Sequence, residues 1–432
     1  MKRLLMFALC LVLVLPLLVG CETKPAHTLR VGYGRVDITP EESVPLRGYG
    51  NTSKRMSTEV SDPLYGTCVA FTDEKDNTVL LFHTDLIGAG GDTFLWARSD
   101  IAKATGVPMA QVMISGTHMH SGPDMTNTSI ESIPRYNESL RKWLVEAAQA
   151  AMADRKPAKL YTTEARPVGY NFIRHYVLED GEVIGDNFGS KSGREYTGHV
   201  SEADNQMQLV KITREGVEDI VLVNWQGHPH RGGGSSNTKI TADIVGSMRS
   251  YMEEKIGCKF AYFTGASGNV NQQSRIDSEN AVSKELPDDY IIHGQQLGQI
   301  AIDALQNCTE KENGNVQLVA SSPAIQRKNA NEGTRNVELF AFSIGDIGFV
   351  CAPYEMFDNN GREIKTGSKF ETTFVVTCAN FGHSYIPSNS AYQYENSEEP
   401  YEVNSCKYIP GTGETLAQEF VKMLNGLYET RK

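Results

Sequence analysis

A chain of 432 residues is long enough to bury one large hydrophobic core or two smaller ones. Its 40% of hydrophobic and 22% of charged residues are ordinary for a globular protein. The net charge of −12 argues against a nucleic acid partner, because proteins that bind nucleic acids usually present a basic surface.

The N-terminus has the pattern of an export signal. Two basic residues precede an apolar run over residues 4–19, which is too short to span a bilayer comfortably. The run leads into Gly20-Cys21, which resembles the lipobox of bacterial lipoproteins, where the cysteine is lipidated and becomes the mature N-terminus. We therefore expect residues 1–20 to be a signal peptide, Cys21 to carry lipid and residues 21–28 to form a polar tether. The protein would then be exported and lipid-anchored to the cell membrane. A plain secretory signal or a short anchor helix is the alternative.

The remaining cysteines are scattered along the chain. They form no Cys-x-x-Cys pair, which argues against a zinc ribbon or a redox motif. Outside the membrane some of them could pair as disulfides. They are Cys68, Cys258, Cys308, Cys351, Cys378 and Cys406.

Strand and helix patterns alternate from residue 29 onward, without an internal repeat or a convincing domain boundary. We predict strands over residues 30–38, 66–72, 79–85, 110–115, 159–164, 207–212, 219–225, 260–263, 316–324, 337–344, 347–351 and 373–378. We predict helices over residues 92–105, 138–155, 242–255, 290–305 and about 355–369, and a last helix with an apolar stripe from Leu416 to Leu427. The first strand contains Gly32 and Gly34, which indicate a close backbone approach. The expected fold is a single large α/β domain with a mixed β-sheet core flanked by helices.

A pair of histidines, His118 and His120, follows one of these strands, just before Ser121-Gly122-Pro123. In an extended chain, residues two apart point to the same side, so both rings can face one cavity while Met119 packs inside. This arrangement suits a metal ligand beside a group that transfers a proton or contacts a substrate. An isolated pair of this kind is as readily two ordinary surface or core histidines.

Three further potential metal ligands stand where predicted strands end: His228, Glu355 and Tyr385. Loops at strand ends are where α/β folds place functional groups. Catalytic zinc takes a few nitrogen and oxygen ligands and keeps one position open for water. His118 and these three residues are therefore the candidate ligands.

Other polar residues could assist such a metal. His120 could carry a proton, and Arg174, in an aromatic loop, could donate to a developing oxyanion. Asp85, at the end of a buried strand, could orient a metal-bound histidine, although a carboxylate at an ordinary turn is the alternative.

Several familiar site patterns are absent from the sequence. There is no Gly-x-Ser-x-Gly nucleophile elbow and no helical His-Glu-x-x-His motif. The histidine pair is not followed by the residues of a His-x-His-x-Asp-His motif. The Gly-rich segment 46–51 lacks the spacing of a nucleotide-binding loop.

In combination, these segments resemble the catalytic domain of the neutral (non-lysosomal) ceramidases, zinc amidases that cleave N-acylsphingosine into sphingosine and fatty acid. Ser-Gly-Thr-His-x-His-Ser-Gly-Pro is the most specific of the matching motifs. The matching segments occur in the family's order, over residues 31–39, 115–123, 224–229, 265–271, 353–355 and 380–386. The resemblance implies that residues 29–432 form a ceramidase-like catalytic domain, without the C-terminal β-sandwich domain that ceramidases carry.

The resemblance also implies roles for single residues. His118, His228, Glu355 and Tyr385 would bind Zn²⁺. His120 and Arg174 would contact the amide end of the substrate, and Tyr401 would be a further active-site tyrosine. Where ceramidases have a serine followed by a proline, this chain has Asn271 and Gln272. Asn271 would still be able to bind substrate through hydrogen bonds.

We therefore expect a zinc-dependent hydrolase that cleaves the amide bond of ceramide or a related N-acyl amine with a metal-activated water. Its partners would be this lipid-like or other N-acyl substrate and the membrane that holds the anchor, with no nucleic acid. The alternatives are a zinc hydrolase of another amide or ester, such as one derived from cell wall or glycan, and a binding lipoprotein on the same scaffold.

Overall fold

The computed structural model describes residues 29–50, 54–88, 90–276, 290–380, 382–395 and 397–431. The predicted signal peptide, the predicted lipidation of Cys21 and the predicted tether lie outside these residues. In the part of the chain that the structure describes, no helix has the length and apolar character needed to cross a bilayer.

Short strands alternate with seven α-helices in the described residues. In chain order the strands are β1 (Arg30–Asp37), β2 (Glu59–Val60), β3 (Tyr65–Thr72), β4 (Thr78–Thr84), β5 (Val112–Gly116), β6 (Lys156–Ala165), β7 (Phe172–Ile173), β8 (His175–Leu178), β9 (Val183–Gly185), β10 (Tyr196–His199), β11 (Met207–Arg214), β12 (Ile220–Trp225), β13 (Lys239–Ile240), β14 (Lys259–Thr264), β15 (Val270–Asn271), β16 (Thr309–Lys311), β17 (Val316–Ser321), β18 (Ala324–Gln326), β19 (Thr334–Asn336), β20 (Leu339–Ile344), β21 (Ile347–Cys351), β22 (Glu355–Met356), β23 (Thr372–Val376) and β24 (Tyr385–Ile386). The helices are α1 (Asp92–Thr105), α2 (Ser132–Ala153), α3 (Asp243–Ile256), α4 (Tyr290–Ala304), α5 (Asp358–Gly367), α6 (Tyr401–Ser405) and α7 (Thr412–Thr430).

Two mixed β-sheets form the centre of the fold. The larger has the strand order β14-β12-β11-β6-β1-β3-β4-β5, with β16 also paired to β6. Its β12–β14 and β4–β5 pairs are parallel and its other pairs are antiparallel. The smaller sheet has the order β17-β20-β21-β23 and contains one parallel pair, β21–β23. The predicted α/β class with a mixed sheet is therefore confirmed.

The two sheets pack face to face, with helices on both outer faces. One core joins apolar residues of the larger sheet, such as Val69 and Leu222, to Phe342 and Phe374 of the smaller sheet. The outer face of the larger sheet is covered by α1 and α2 at one end and by α3 and α4 at the other. The outer face of the smaller sheet is covered by α7. Because β4 lies between two cores, all of its residues are buried, as its continuous apolar run indicates.

Polar side chains join the two sheets at their strand ends. The Asn224 side chain donates to the backbone oxygens of Phe263 and Val375 and accepts from the Val375 N–H, at 2.8–3.0 Å. The Asn380 side-chain oxygen accepts from the Ile114 N–H at 2.9 Å, and the backbone N–H of Asn380 donates to the Ile114 carbonyl at 2.8 Å. These buried amides are satisfied on both sides, so they fix how the ends of one sheet face the ends of the other.

Two predicted elements differ from the structure. Glu355 does not open a helix: it lies in β22, which pairs in parallel with β24, and the helix starts at Asp358. The predicted strand over residues 316–324 is two strands, β17 and β18, because Ser322-Pro323 interrupts it and proline cannot donate to a strand ladder. The possible disulfides are also absent from the described residues, where all six cysteines are free.

The close approach that Gly32 and Gly34 indicated is made by helix α2. A Cβ atom at Gly32 would collide with the carbonyl oxygen of Ala151, and one at Gly34 with that of Ala147. The missing side chains allow β1 and α2 to touch backbone to backbone, which is the use of glycine in a strand.

We expect Gly34→Ala to lower the free energy of unfolding by about 1–3 kcal/mol, because the added methyl group has no space and must displace α2. The control is Gly426→Ala in α7, where a Cβ meets nothing within 4 Å. That change should stabilise the protein by about 0.5–1 kcal/mol, since alanine is the better helix former. Urea unfolding measures both. Equal stabilities of the two variants would contradict the proposed contact.

Candidate metal centre

Three histidines from two distant parts of the chain meet at the strand ends. The possible ligand atoms of His118, His120 and His228 all lie within 4.8 Å of one another. Their ring centroids are 4.5–5.2 Å apart, and the Nε2 atoms of His120 and His228 are separated by 3.0 Å. His118 and His228 are buried, and so is the ring of His120, although that residue as a whole is slightly more exposed.

The backbone at His118 is not the extended strand that was predicted. His118 has a φ of 69°, in the left-handed region that few residues other than glycine adopt. Its N–H donates to the Leu86 carbonyl at 3.0 Å, and its Nδ1 lies 2.6 Å from the Ile87 carbonyl. The strained backbone turns His118 back toward the loop after β4. The two rings still lie beside each other, with 5.2 Å between their centroids, and Met119 is fully buried as expected.

Glu355 and Tyr385 come to the same place through the pairing of β22 with β24. They are direct register partners in these two strands. Glu355 Oε2 lies 3.1 Å from His118 Nε2, and the Tyr385 hydroxyl accepts from Arg174 Nη2 at 3.3 Å. The structure thus brings together the four predicted ligands, His120 and Arg174, while their individual roles stay predictions.

The residues present fit a divalent metal ion. The Ile87 carbonyl can only accept, so the Nδ1 of His118 carries a proton and its Nε2 is the ring nitrogen left to face a metal. His118 Nε2 and Glu355 Oε2 are both buried and face each other at 3.1 Å, and neither atom has a further hydrogen-bond partner in the described part of the chain. Two ligands of one tetrahedral zinc, each at about 2.0–2.1 Å from it, would be about 3.3 Å apart. The separations of 3.0 and 3.1 Å in the cluster are close to that value.

The electrostatics of the cluster also favour a cation. Burial, together with neighbouring positive charge, lowers the pKa of His120 and His228 well below the usual range, so both present neutral imidazoles. Burial alone would lower the pKa of His118 too. Cys378 and Glu355 outweigh it and raise that pKa well above its usual range, so the metal-free cluster attracts positive charge at His118. A metal ion would supply that charge instead.

Arg174 is held by a carboxylate that the sequence did not reveal. Its Nε donates to Glu402 at 2.6 Å, and both side chains are buried. Glu402 also lies 3.3 Å from His175 Nε2. Burial alone would raise the pKa of Glu402, but Arg174 and His175 outweigh it and lower the pKa to about 2. In the sequence, the one clue to this role of Glu402 is that it directly follows Tyr401, a candidate site residue.

Tyr401 and Asn271 occupy different surroundings. Tyr401 is 46% exposed, and its ring stands edge-on to Tyr385 with 5.8 Å between centroids. It therefore lies at the rim of the site. Asn271 is buried, and both ends of its amide are already engaged, by His230 and by Asp186.

The possible role of Asp85 as an orienting group for a histidine is wrong. Its Oδ2 accepts from Arg249 at 2.7 Å and from the N–H of Tyr65 at 2.8 Å. Asp85 is fully buried between β3 and α3. A buried carboxylate needs a charged partner, and Arg249 is that partner. The Ile87 carbonyl contacts His118 in its place.

A second group that the sequence did not reveal surrounds His120. Arg55 is buried and donates to the carbonyls of His120 and Arg47, both at 3.2 Å. Its guanidinium stacks over Tyr49, whose ring stands edge-on to His120 at 5.3 Å. A side chain at Gly48 would collide with the His120 ring. The Gly-rich segment 46–51 therefore helps to hold His120. Gly48 is needed there because its lack of a side chain leaves room for the His120 ring.

We expect the stability of the protein to depend on pH through Glu402. Its pKa falls from 4.5 in the unfolded chain to about 2 in the folded one, which corresponds to about 3 kcal/mol. A lowered pKa contributes stability that is complete above pH 4.5 and disappears as the pH falls toward 2. The difference in unfolding free energy between the unmodified protein and Glu402→Gln should therefore shrink over this window. A difference that stays constant in urea unfolding from pH 6 to pH 2.5 would contradict it.

Comparisons with known proteins give a fold relationship. No protein-family profile and no curated protein matches the chain. Two solved structures match 94% of this chain with a TM-score of 0.72 and 16% sequence identity. They are a ceramidase complexed with C2 and the neutral ceramidase from Pseudomonas aeruginosa, and the match covers 76% and 75% of their chains. The chain therefore has the fold of the neutral ceramidases, as its ordered motifs predicted.

Proposed function

We propose that the protein is a metal-dependent hydrolase that cleaves the amide bond of ceramide or of a related N-acyl amine. The observation that carries this proposal is the group of His118, His120 and His228, with Glu355 beside it, in a fold shared with neutral ceramidases. Nitrogen and carboxylate donors in this number suit Zn²⁺.

His118, His228, Glu355 and Tyr385 would hold the metal. When bound, a zinc-like ion lowers the pKa of a coordinated water and polarises a carbonyl group. His120 is near enough to be a ligand as well. The resemblance to ceramidases assigns it to the amide end of the substrate instead. We assign it to accept a proton from the attacking water and to pass that proton on to the leaving amine.

Arg174 and the tyrosines would act on the carbonyl oxygen of the substrate. Arg174 is a buried cation 3.3 Å from the Tyr385 hydroxyl, so it orients that hydroxyl and brings positive charge to the site. Tyr401, exposed at the rim, is placed to contact the substrate as it enters. Negative charge that develops on the oxygen would be stabilised by these donors.

There are two alternatives to a ceramide hydrolase: a hydrolase that acts on a different substrate, and a protein that binds a ligand without cleaving it. Asn271 stands where the ceramidases have a serine, which favours another amide or an ester, such as a cell-wall or glycan derivative. A binding lipoprotein on this scaffold is the other alternative. The complete donor set argues against it, because a protein that only binds a lipid has no need of these four ligands and His120.

We expect the purified protein to bind about one zinc ion per chain and, when loaded, to hydrolyse a fluorescent N-acyl amide. His118→Ala and His228→Ala should each lose the metal and the activity, because each removes a donor from the cluster. His199→Ala is the matched control, since this histidine binds the Ile173 carbonyl and Ser274 outside the cluster. Elemental analysis and a panel of ceramide, other N-acyl amides and esters measure both properties.

The outcomes separate the three hypotheses. Unchanged zinc content in His118→Ala and His228→Ala would eliminate the proposed centre. Zinc binding with turnover of esters or of other amides, but not ceramide, would select the second hypothesis. Zinc binding without turnover of any substrate in the panel would favour the binding lipoprotein.

We also propose that the protein is exported and lipid-anchored through Cys21, which would place the site next to a membrane substrate. The support is the sequence pattern of the N-terminus. Cells grown with radiolabelled palmitate should label the unmodified protein and leave Cys21→Ser unlabelled, because a serine has no thiol to acylate. Equal labelling of the two proteins would refute the anchor.

A further inference from the structure

The buried ion pair of Arg174 and Glu402 lies directly beside the candidate metal centre. Arg174 Nη2 donates to the hydroxyl of Tyr385, one of the four proposed ligands, at 3.3 Å, and its guanidinium carbon lies 5.6 Å from the centre of the Tyr385 ring. An arginine stays charged in proteins, and the burial of Arg174 leaves little water to screen its charge. Arg174 would therefore repel a divalent ion at the centre unless an anion compensates it.

Glu402 is placed to compensate this charge. Its Oε1 accepts from Arg174 Nε at 2.6 Å and is paired with Nη2 at 2.5 Å. Its Oε2 lies 3.3 Å from Nε2 of His175, so both carboxylate oxygens are held. Because Oε1 contacts the same Nη2 that reaches the Tyr385 hydroxyl, the carboxylate cancels the charge of the guanidinium and also fixes its direction.

Two other carboxylates act on the charge of Arg174, but each has another task. Glu355 is a proposed ligand, so its negative charge would serve the metal ion. Asp186 is paired with Arg275 at 2.5 Å, and that arginine takes up its charge. Glu402 is therefore the carboxylate that remains for Arg174.

We propose that Glu402 is a positioning residue that allows a divalent metal ion to bind beside Arg174, because it cancels the charge of the guanidinium and holds it toward Tyr385. The inference rests on the proposed metal-dependent function. It gives a task at the metal centre to a residue that the sequence did not single out. It also explains how a site for a cation contains a buried arginine, which can donate hydrogen bonds to a substrate without weakening the binding of the metal.

The Zn²⁺ affinity of the metal-free protein, measured by competition with a coloured chelator, tests this inference. In Glu402→Gln, a side chain of nearly the same shape leaves the charge of Arg174 uncompensated. We expect Zn²⁺ to bind about 10–100-fold more weakly than in the unmodified protein, the range for changes in the surroundings of metal ligands. An unchanged Zn²⁺ affinity would overturn the inference.

A second substitution separates the effect of charge from damage to the fold. Arg174→Met removes the cation, so adding Glu402→Gln to it should leave the Zn²⁺ affinity as in Arg174→Met alone. A loss of affinity that persists in the double variant would show that Glu402 acts otherwise than through Arg174. The double variant leaves no buried charge without a partner, which favours its folding.

The matched control is Asp154→Asn, at the opposite end of the larger sheet. It removes a carboxylate from Arg214, which is also buried, so the protein should lose stability and keep its Zn²⁺ affinity. Equally weakened Zn²⁺ binding in this control would trace the effect to general instability and overturn the inference.

Two further variants serve if Glu402→Gln does not fold. Arg174→Met should bind Zn²⁺ at least as tightly as the unmodified protein, and Glu402→Asp, which keeps the charge, should lose less than about tenfold in affinity. Weaker binding by Arg174→Met would overturn the inference and leave the proposed function intact. If the unmodified protein binds no Zn²⁺ at all, the proposed function fails, and this inference fails with it.

Discussion

The site depends on the way the two sheets are joined at their strand ends. Buried amides of Asn224 and Asn380 pair with backbone groups across the junction, in the manner of short strand ladders. The loop after β5, with His118, therefore meets the segment of Glu355 and Tyr385 from the other side of the fold. An apolar interface alone would allow the sheets to slide, whereas satisfied hydrogen bonds specify one arrangement.

Around this junction, charge is arranged in two separate groups. Arg174 and Glu402 neutralise each other as a buried pair, which lets a positive charge stand beside Tyr385 without destabilising the fold. The histidines have one carboxylate at contact distance, Glu355, and two of them are neutral because of burial. The charges of the first group balance each other, whereas the second group offers donor atoms that could bind a cation.

Much of the architecture follows from local sequence patterns, and so do the best candidates for the site. Buried strands such as β4 are continuous apolar runs, and Gly32 and Gly34 mark the contact of β1 with α2. His118 and His228 are recognisable because each follows such a run and precedes a loop rich in glycine. The short pair β22–β24 was missed, because two-residue strands exist only through their partner.

The sequence by itself determined the fold class and the residue types available for a metal, because apolar periodicity and strand-end polar residues are local properties of the chain. Only the tertiary structure decided how these residues are used. Asp85 pairs with Arg249, Glu402 with Arg174, and Asn271 with His230, each across at least 40 positions. Such partners leave no local pattern, because a hydrogen bond or an ion pair depends on distance in space and not on spacing along the chain.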